Sequence, residues 1–173
     1  MSDNRKTKKT TEMVDVTSDD TRFVVQCEDI RLISSDLKPL VVEEEADKIT
    51  HFAFRIHAVV EGQKAYSYLE VLVNYLITDK TDELQGFQLS YVLMGTFFAR
   101  QGMLSEDLGQ FVKMYTLSIL WPYAREYATD QLRRAGTIDA VLPIINPQVV
   151  TEHIVENNLV EVDFIKSEEK EEK

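Results

Sequence analysis

The sequence predicts an α+β domain in which four antiparallel strands are followed by helices that pack on one face of the sheet. Two observations support this class. Within residues 22–98, several segments carry apolar side chains at every second position, which is the period of a half-buried strand. From Ser105 onward the apolar spacing becomes three or four residues, which is the period of a helix. Strands followed by helices, rather than alternating with them, favour an antiparallel sheet with its helices on one face.

The predicted strands cover residues 22–33, 50–60, 65–77 and 87–98. The second strand alternates most clearly, because every even-numbered position from Phe52 to Val60 is apolar. Gly62 supplies a residue suited to the tight turn into the third strand. The stretch from residue 34 to 47 contains Pro39 and three successive glutamates, and it is predicted to be an irregular crossover.

Capping residues and helix-breaking residues predict where the helices begin and end. Ser105 is a suitable N-cap for the first helix. Pro122 costs about 3 kcal/mol inside a helix, so a break or kink is predicted at residues 118–121. A second helical run is expected to end before Gly136, a natural residue just after a helix C-terminus. Asn146 and the proline after it open a last helix that runs to about residue 158.

The chain of 173 residues predicts one domain flanked by two polar ends. Residues 1–20 have little to bury and are predicted to be a disordered arm, residues 21–160 to be the folded domain, and residues 161–173 to be a charged tail. The net charge of −11 disfavours nucleic acid as a partner, since phosphate backbones repel an acidic protein. No apolar run approaches 18 residues, so no membrane insertion is expected. A single cysteine, Cys27, fits a reducing cytoplasm.

The sequence contains no recognisable catalytic or metal-binding constellation. Cys27 has no cysteine partner and no nearby histidine. His51 and His57 lie six residues apart on one predicted strand, about 20 Å at 3.3 Å per residue, and are therefore too distant to share a metal. Phosphate-binding, dinucleotide-binding, nucleophile-elbow and zinc-protease motifs are absent. We therefore expect no enzyme activity, no cofactor and no metal.

Apolar residues on both faces of two strands are the main functional indication. The third strand carries apolar or aromatic side chains on either side, at Leu69 and Val71 on one face and at Tyr68 and Leu72 on the other. The fourth strand does the same, and one of its faces carries Leu89, Tyr91, Leu93 and Phe97. One layer of helices covers one face of a sheet, so the remaining apolar surface predicts either subunit packing or a groove for apolar segments of other chains.

Residues 120–126, which read Leu-Trp-Pro-Tyr-Ala-Arg-Glu, resemble the L-F-P-Y-A-R-E signature of the SecB family, the bacterial protein-export chaperones. Downstream, Gly136-Thr137, Leu142-Pro143 and Asn146 resemble the family's spacing to its last helix, and Asp29-Ile30 resembles a pair in its first strand. The similarity covers about residues 22–158 and is strongest over residues 117–147.

The resemblance implies a cytoplasmic bacterial holdase that assembles as a dimer of dimers and holds unfolded polypeptides. Position by position, it implies a client groove on the fourth strand at Leu89, Tyr91 and Leu93, and strand alternation extends that face to Phe97. It also implies that the signature helix lies at subunit interfaces, through Trp121, Pro122, Tyr123, Arg125 and Glu126.

Departures from the family pattern concern its partner, the translocase motor SecA. Export members carry acidic residues on the outer sheet face, whereas Ser90, Val92 and Ile33 stand at matching positions here. Asp29 is kept, and with Glu28 it is the candidate for residual motor docking. Binding to SecA is therefore expected to be weak or absent. Three functions stay open: a holdase for exported preproteins, a SecB-like chaperone dedicated to a partner such as an antitoxin, and an assembly protein whose apolar faces serve oligomerisation alone.

Overall fold

The computed structural model describes residues 25–40, 51–78, 84–100, 102–136, 142–157 and 159–165. The strands and helices, in chain order, are β1 (Val25–Leu40), β2 (His51–Glu61), β3 (Lys64–Thr78), β4 (Leu84–Ala99), α1 (Ser105–Arg134), α2 (Pro147–Glu156) and β5 (Val160–Ile165). They form one sheet in the order β1-β4-β3-β2-β5. Neighbouring strands are antiparallel, except that β5 runs parallel to β2. The predicted α+β class, with strands first and helices after, is confirmed.

The core lies between the sheet and α1. Alternate residues of the three central strands point toward the helix, and we call this side the helix-covered face. Its buried members are Ile56, Ala58, Val60, Ala65, Leu69, Val71, Val73, Leu89, Tyr91, Leu93 and Phe97. The other side, which carries Arg55, His57, Tyr68, Glu70 and Val92, is called the open face. The apolar residues of β2 that were predicted to share one face therefore do lie together, on the helix-covered face.

Two polar contacts and one close approach hold α1 on the sheet. The Tyr91 hydroxyl donates a hydrogen bond of 2.8 Å to the backbone carbonyl of Ala124. The hydroxyls of Ser67 and Thr116 lie 2.7 Å apart in the buried interface. At Gly95, a Cβ atom would come within 3.0 Å of Leu120 Cδ2, so the missing side chain allows the helix to approach β4 closely.

Two predicted boundaries were wrong. β1 extends to Leu40 through the first part of the predicted crossover, and residues 41–50 lie outside the described part of the chain. Pro39 is tolerated in β1 because this strand is at the edge of the described sheet, and a missing N–H is harmless on the side that pairs with no described strand. The N-cap of α1 is Leu104 instead of Ser105. Ser105 is the first helical residue, and its hydroxyl donates to the carbonyl of Gly62 at 3.0 Å.

Pro122 does not divide the helical region into two helices, so the predicted break at residues 118–121 does not occur. α1 is a single helix of 30 residues with Pro122 inside it. Leu120 before the proline and Ala124 after it are both fully buried in the same core. Tertiary packing on both sides thus outweighs the backbone hydrogen bond that proline cannot make. Gly136 does follow the helix with a positive φ of 96°, and Asn146 caps α2 by accepting from two backbone N–H groups, as predicted.

β5 was not predicted, and residues 160–165 therefore correct the assignment of residues 161–173 to a charged tail. Its pattern alternates Val160 and Val162 with acidic residues, but six residues are too short for this alternation to stand out beside the charged segment that follows. The predicted arm of residues 1–20 and the remaining tail, residues 166–173, lie outside the described residues. Neither described helix combines the length and apolar character needed to cross a membrane.

Candidate functional site

The predicted groove residues of β4 belong to the core. Leu89, Tyr91, Leu93 and Phe97 are 0–4% exposed and lie beneath α1 on the helix-covered face. Burial raises the pKa of the Tyr91 phenol far above its ordinary value, which agrees with a dry environment. Another chain would reach these four side chains only if α1 moved away. Alternation correctly grouped them on one face, but it carries no information on which face the helix covers.

The signature residues of α1 divide into buried and exposed groups. Trp121 is 3% exposed, and its ring centroid lies 5.6 Å from that of Phe52 and 5.9 Å from that of Phe54. Tyr123 is half exposed, and Pro122 and Glu126 are also exposed. Of the two aromatic residues that the sequence assigned to an interface, Tyr123 therefore remains available to a partner, while Trp121 is committed to the core.

Arg125 has a structural role in this chain. Its Nε donates a hydrogen bond of 3.1 Å to the backbone carbonyl of Leu142. Leu142 is buried in the main core just before α2, so this bond helps fix where the second helix begins relative to α1. An always-charged guanidinium is well suited to donate to a backbone carbonyl in this way.

The outward side of α1 carries exposed apolar residues without charge. From residue 114 to 124, three turns of helix, the sequence contains no charged side chain. Met114, Tyr115 and Tyr123 are 38%, 51% and 50% exposed within this segment. We call Met114, Tyr115, Ser118, Ile119 and Tyr123 the uncharged face of α1. A helix that is apolar on two sides normally packs against a second element, and no described element covers this side.

Two clefts flank the uncharged face of α1. The first separates α1 from α2, and its lining residues are Met114, Tyr115, Ser118, Gln148, Thr151 and Glu152. The buried hydroxyl of Thr151 has no hydrogen-bond partner among the described residues. The second cleft separates α1 from β1, and its lining residues are Cys27, Glu28, Asp29, Ile30, Ile119 and Tyr123. Each cleft thus combines apolar helix residues with polar groups from a neighbouring element.

The candidate motor-docking residues sit in the second cleft. Asp29 forms an ion pair with the Nε atom of Arg31, two residues along β1, which offsets its charge. Ile33, which stands where export members carry an acid, is half exposed. Cys27 is free, and the pKa of its thiol is raised, chiefly by desolvation. Of the two candidate docking carboxylates, Asp29 is thus paired within β1, whereas Glu28 is exposed.

Potential metal ligands are not clustered in the described part of the chain. No three of its histidine, cysteine, aspartate or glutamate side chains are grouped so as to hold a metal. His57 lies on the open face, where its Nε2 is 3.0 Å from Oδ2 of Asp163 and its ring stacks on Tyr68 at a centroid distance of 6.0 Å. These contacts join β5 to β2 and β3, so they have a structural explanation.

Together, the sheet, its single helical layer and the exposed helix face define an α+β protein with a SecB-like fold. No protein-family model and no curated protein sequence matches the chain. Among solved structures, it resembles the SecB-like chaperone Rv1957 of Mycobacterium tuberculosis, determined in complex with a ChAD peptide from the Rv1956 HigA1 antitoxin. The TM-score is 0.56 at 15% sequence identity, over 72% of this chain and 90% of that one. This likeness supports the SecB-like fold that residues 120–126 indicated.

Proposed function

We propose that this protein is a SecB-like chaperone that holds extended, non-native polypeptides against the uncharged face of α1 and the cleft beside α2. The observation that carries this proposal is the exposed apolar surface of Met114, Tyr115 and Tyr123 within eleven uncharged residues. Each square ångström of apolar surface removed from water contributes about 25 cal/mol. Met and Tyr suit varied clients, because thioether and phenol side chains adapt their contacts.

The client is proposed to be a dedicated partner of the antitoxin kind, in preference to exported preproteins. The structurally similar Rv1957 was determined with an antitoxin peptide. In addition, the positions where export members carry acids hold Ser90, Val92 and Ile33, and the retained Asp29 is paired with Arg31. A net charge of −11 favours clients that are basic. Holding of preproteins in the bacterial cytoplasm is the second candidate.

Self-association is part of the proposal, as a dimer of dimers. β1 is a 16-residue strand that, among the described strands, has a neighbour on one side only, and most of its residues are exposed. Its outer edge offers unpaired backbone groups, a ready template for pairing with a second copy. The uncharged face of α1 offers a second contact, which gives a physical route to four subunits. If this face served assembly alone, the protein would be oligomeric but would not hold clients.

The test is suppression of client aggregation, followed by light scattering, with Met114→Glu as the perturbation. A charge placed on a surface that becomes buried must be desolvated, so we expect holding to weaken at least tenfold. The matched control is Gln110→Glu, which adds the same charge at an exposed position one turn earlier on the same helix. Equal holding by both variants and the parent would refute the proposed surface.

Native mass spectrometry of the same variants separates client binding from assembly. We expect a tetramer, or a dimer at low concentration, for the parent protein. Loss of holding with the oligomer intact would assign the uncharged face of α1 to clients. An oligomeric parent that never suppresses aggregation would favour the assembly protein and overturn the chaperone function.

Calorimetric titration separates the two client classes. With SecA from the same organism, we expect weak binding or none, because lost charge pairs reduce the association rate and the salt sensitivity of a contact. Submicromolar, salt-sensitive affinity for SecA would restore the export role. Tight binding of an antitoxin encoded beside this gene would establish the dedicated role.

A further inference from the structure

β5 closes the β2 edge of the sheet with six residues and little burial. Residues 160–165 pair in parallel with residues 56–61 of β2. Val160 is buried and Val162 is half-buried against the core, whereas Phe164 and Ile165 are 52% and 53% exposed. β5 follows α2 after a short connection, so its departure from the edge requires no movement of another described element.

The absence of a side chain at Gly109 of α1 leaves room for the Phe164 ring, and we call this space the seat. A Cβ atom at Gly109 would lie 2.6 Å from Cζ of Phe164 and 3.5 Å from Cγ1 of Val162. Any other residue at this position would therefore collide with the aromatic ring. Glycine is also a poor helix former, so its presence within a long helix calls for a packing reason. Accommodation of an aromatic side chain from an edge strand supplies that reason.

On the open face, His57 contacts Asp163 diagonally, since the register pairs His57 with Glu161 and Asp163 with Val59. Its Nε2 lies 3.0 Å from Oδ2 of Asp163, and its ring is held by stacking on Tyr68. In a parallel pair, residues paired across the two strands place their side chains on the same face. Asp163 therefore contacts His57 on the open face, while the next residue, Phe164, lies over Gly109 on the helix-covered face. The edge of β2 thus selects for particular side chains on the added strand, in addition to offering backbone hydrogen bonds.

We propose that residues 56–61 of β2, with Gly109, form a binding site for an extended polypeptide strand, and that β5 occupies this site in the free chain. The matching ligand carries apolar residues at alternate positions, an acidic residue opposite Val59 that reaches His57, and an aromatic residue over Gly109, as in the sequence Val-Glu-Val-Asp-Phe. Strand addition supplies affinity through the backbone and specificity through alternate side chains. The site deepens the proposed function, because a client held in extended form would enter it by displacing β5.

The test uses full-length chains and a fluorescently labelled peptide with the sequence of residues 159–165, titrated by fluorescence anisotropy. Phe164→Asp removes the seated ring from β5 but leaves the seat intact. We expect the peptide to bind this variant at least tenfold more tightly than it binds the parent, since an occupied site lowers apparent affinity by the fraction that is open. The control is Ile165→Asp, which adds the same charge at an equally exposed position that alternation places on the opposite face. It should behave as the parent does.

Gly109→Ala tests whether the gain in peptide affinity of Phe164→Asp comes from the emptied seat or from a general destabilisation of the chain. Added to Phe164→Asp, it should reduce peptide affinity at least tenfold, because the new methyl group fills the space of the ring. By itself it should speed hydrogen exchange of the β5 amides, measured by mass spectrometry, without speeding that of α1. This second measurement stays decisive if Phe164→Asp fails to fold.

Equal peptide affinity for the parent and both Asp variants, or unchanged β5 exchange in Gly109→Ala, would overturn the strand-binding site. Aggregation suppression that persists alongside such a result would leave the proposed chaperone function standing. Loss of suppression by Met114→Glu with normal peptide capture would support the strand site independently of the uncharged face of α1.

Discussion

Replacement of Trp121 by phenylalanine tests how the buried indole affects stability, and it introduces the residue that stands at this position in the SecB signature. The indole packs between Phe52 and Phe54, and its Nε1 has no hydrogen-bond partner among the described residues. Two opposing effects follow from Trp121→Phe. The smaller ring loses buried contacts, and the variant no longer buries an unpaired N–H.

The two free-energy changes caused by Trp121→Phe nearly cancel. Loss of about two buried apolar carbons costs about 1.6 kcal/mol at about 0.8 kcal/mol each. Removal of a buried unpaired donor gains about 1–3 kcal/mol. We therefore expect Trp121→Phe to change the free energy of unfolding by less than about 1.5 kcal/mol, whereas Trp121→Ala, which leaves a large cavity, should cost about 3–5 kcal/mol.

Urea unfolding followed by far-ultraviolet circular dichroism measures both variants. This signal is preferable to fluorescence, because Trp121 is the single tryptophan and each variant lacks it. A loss of about 3 kcal/mol or more in Trp121→Phe would refute the reasoning, since it would mean that the indole N–H is paired and contributes a bond. A small loss in Trp121→Ala would contradict the close packing against the two phenylalanines.

Three further predictions concern the interface between α1 and the sheet. Gly95→Ala should cost about 1–3 kcal/mol in urea unfolding, because its Cβ would lie 2.9 Å from the Phe97 ring. Thr116→Val should cost about 1–3 kcal/mol by leaving the buried Ser67 hydroxyl unpaired, while the double variant with Ser67→Ala should lose less than the single one; a larger loss in the double variant would contradict the pairing. Burial raises the pKa of Tyr91 above its ordinary value of 10.0, so the unfolded chain loses this proton first. The resulting stability is present below pH 10 and is lost as the pH rises above it; unfolding at a series of alkaline pH values should show a steeper decline for the parent than for Tyr91→Phe.

Local patterns determined the class of the fold and most of its elements. Alternation in β2, the turn at Gly62, the stop before Gly136 and the cap at Asn146 are short-range features, and the structure contains each of them. The signature around Trp121 also pointed to the SecB-like fold, because a proline inside a helical heptapeptide is an unusual local choice.

Tertiary structure decided which apolar face is open. Alternation placed Leu89 and Tyr91 on one side of β4, but the choice of the side that α1 covers depends on where the helix returns to the sheet. The close approach at Gly95 and the hydrogen bond from Tyr91 to Ala124 are contacts between distant parts of the chain. The exposed apolar surface assigned to clients in the proposed function therefore lies on the helix, at Met114, instead of on the predicted strand face.

Long-range packing likewise overrode one local rule and added one element. Pro122 is a helix breaker by its own chemistry, yet α1 continues because residues on both sides of it are buried in one core. β5 is too short to be stable alone, and it exists because β2 offers an edge and Gly109 offers room for Phe164. The sequence by itself determined periodicity and capping, which depend on neighbours within a few residues. The covered face, the unbroken helix and the fifth strand were decided by contacts that form once the chain has folded.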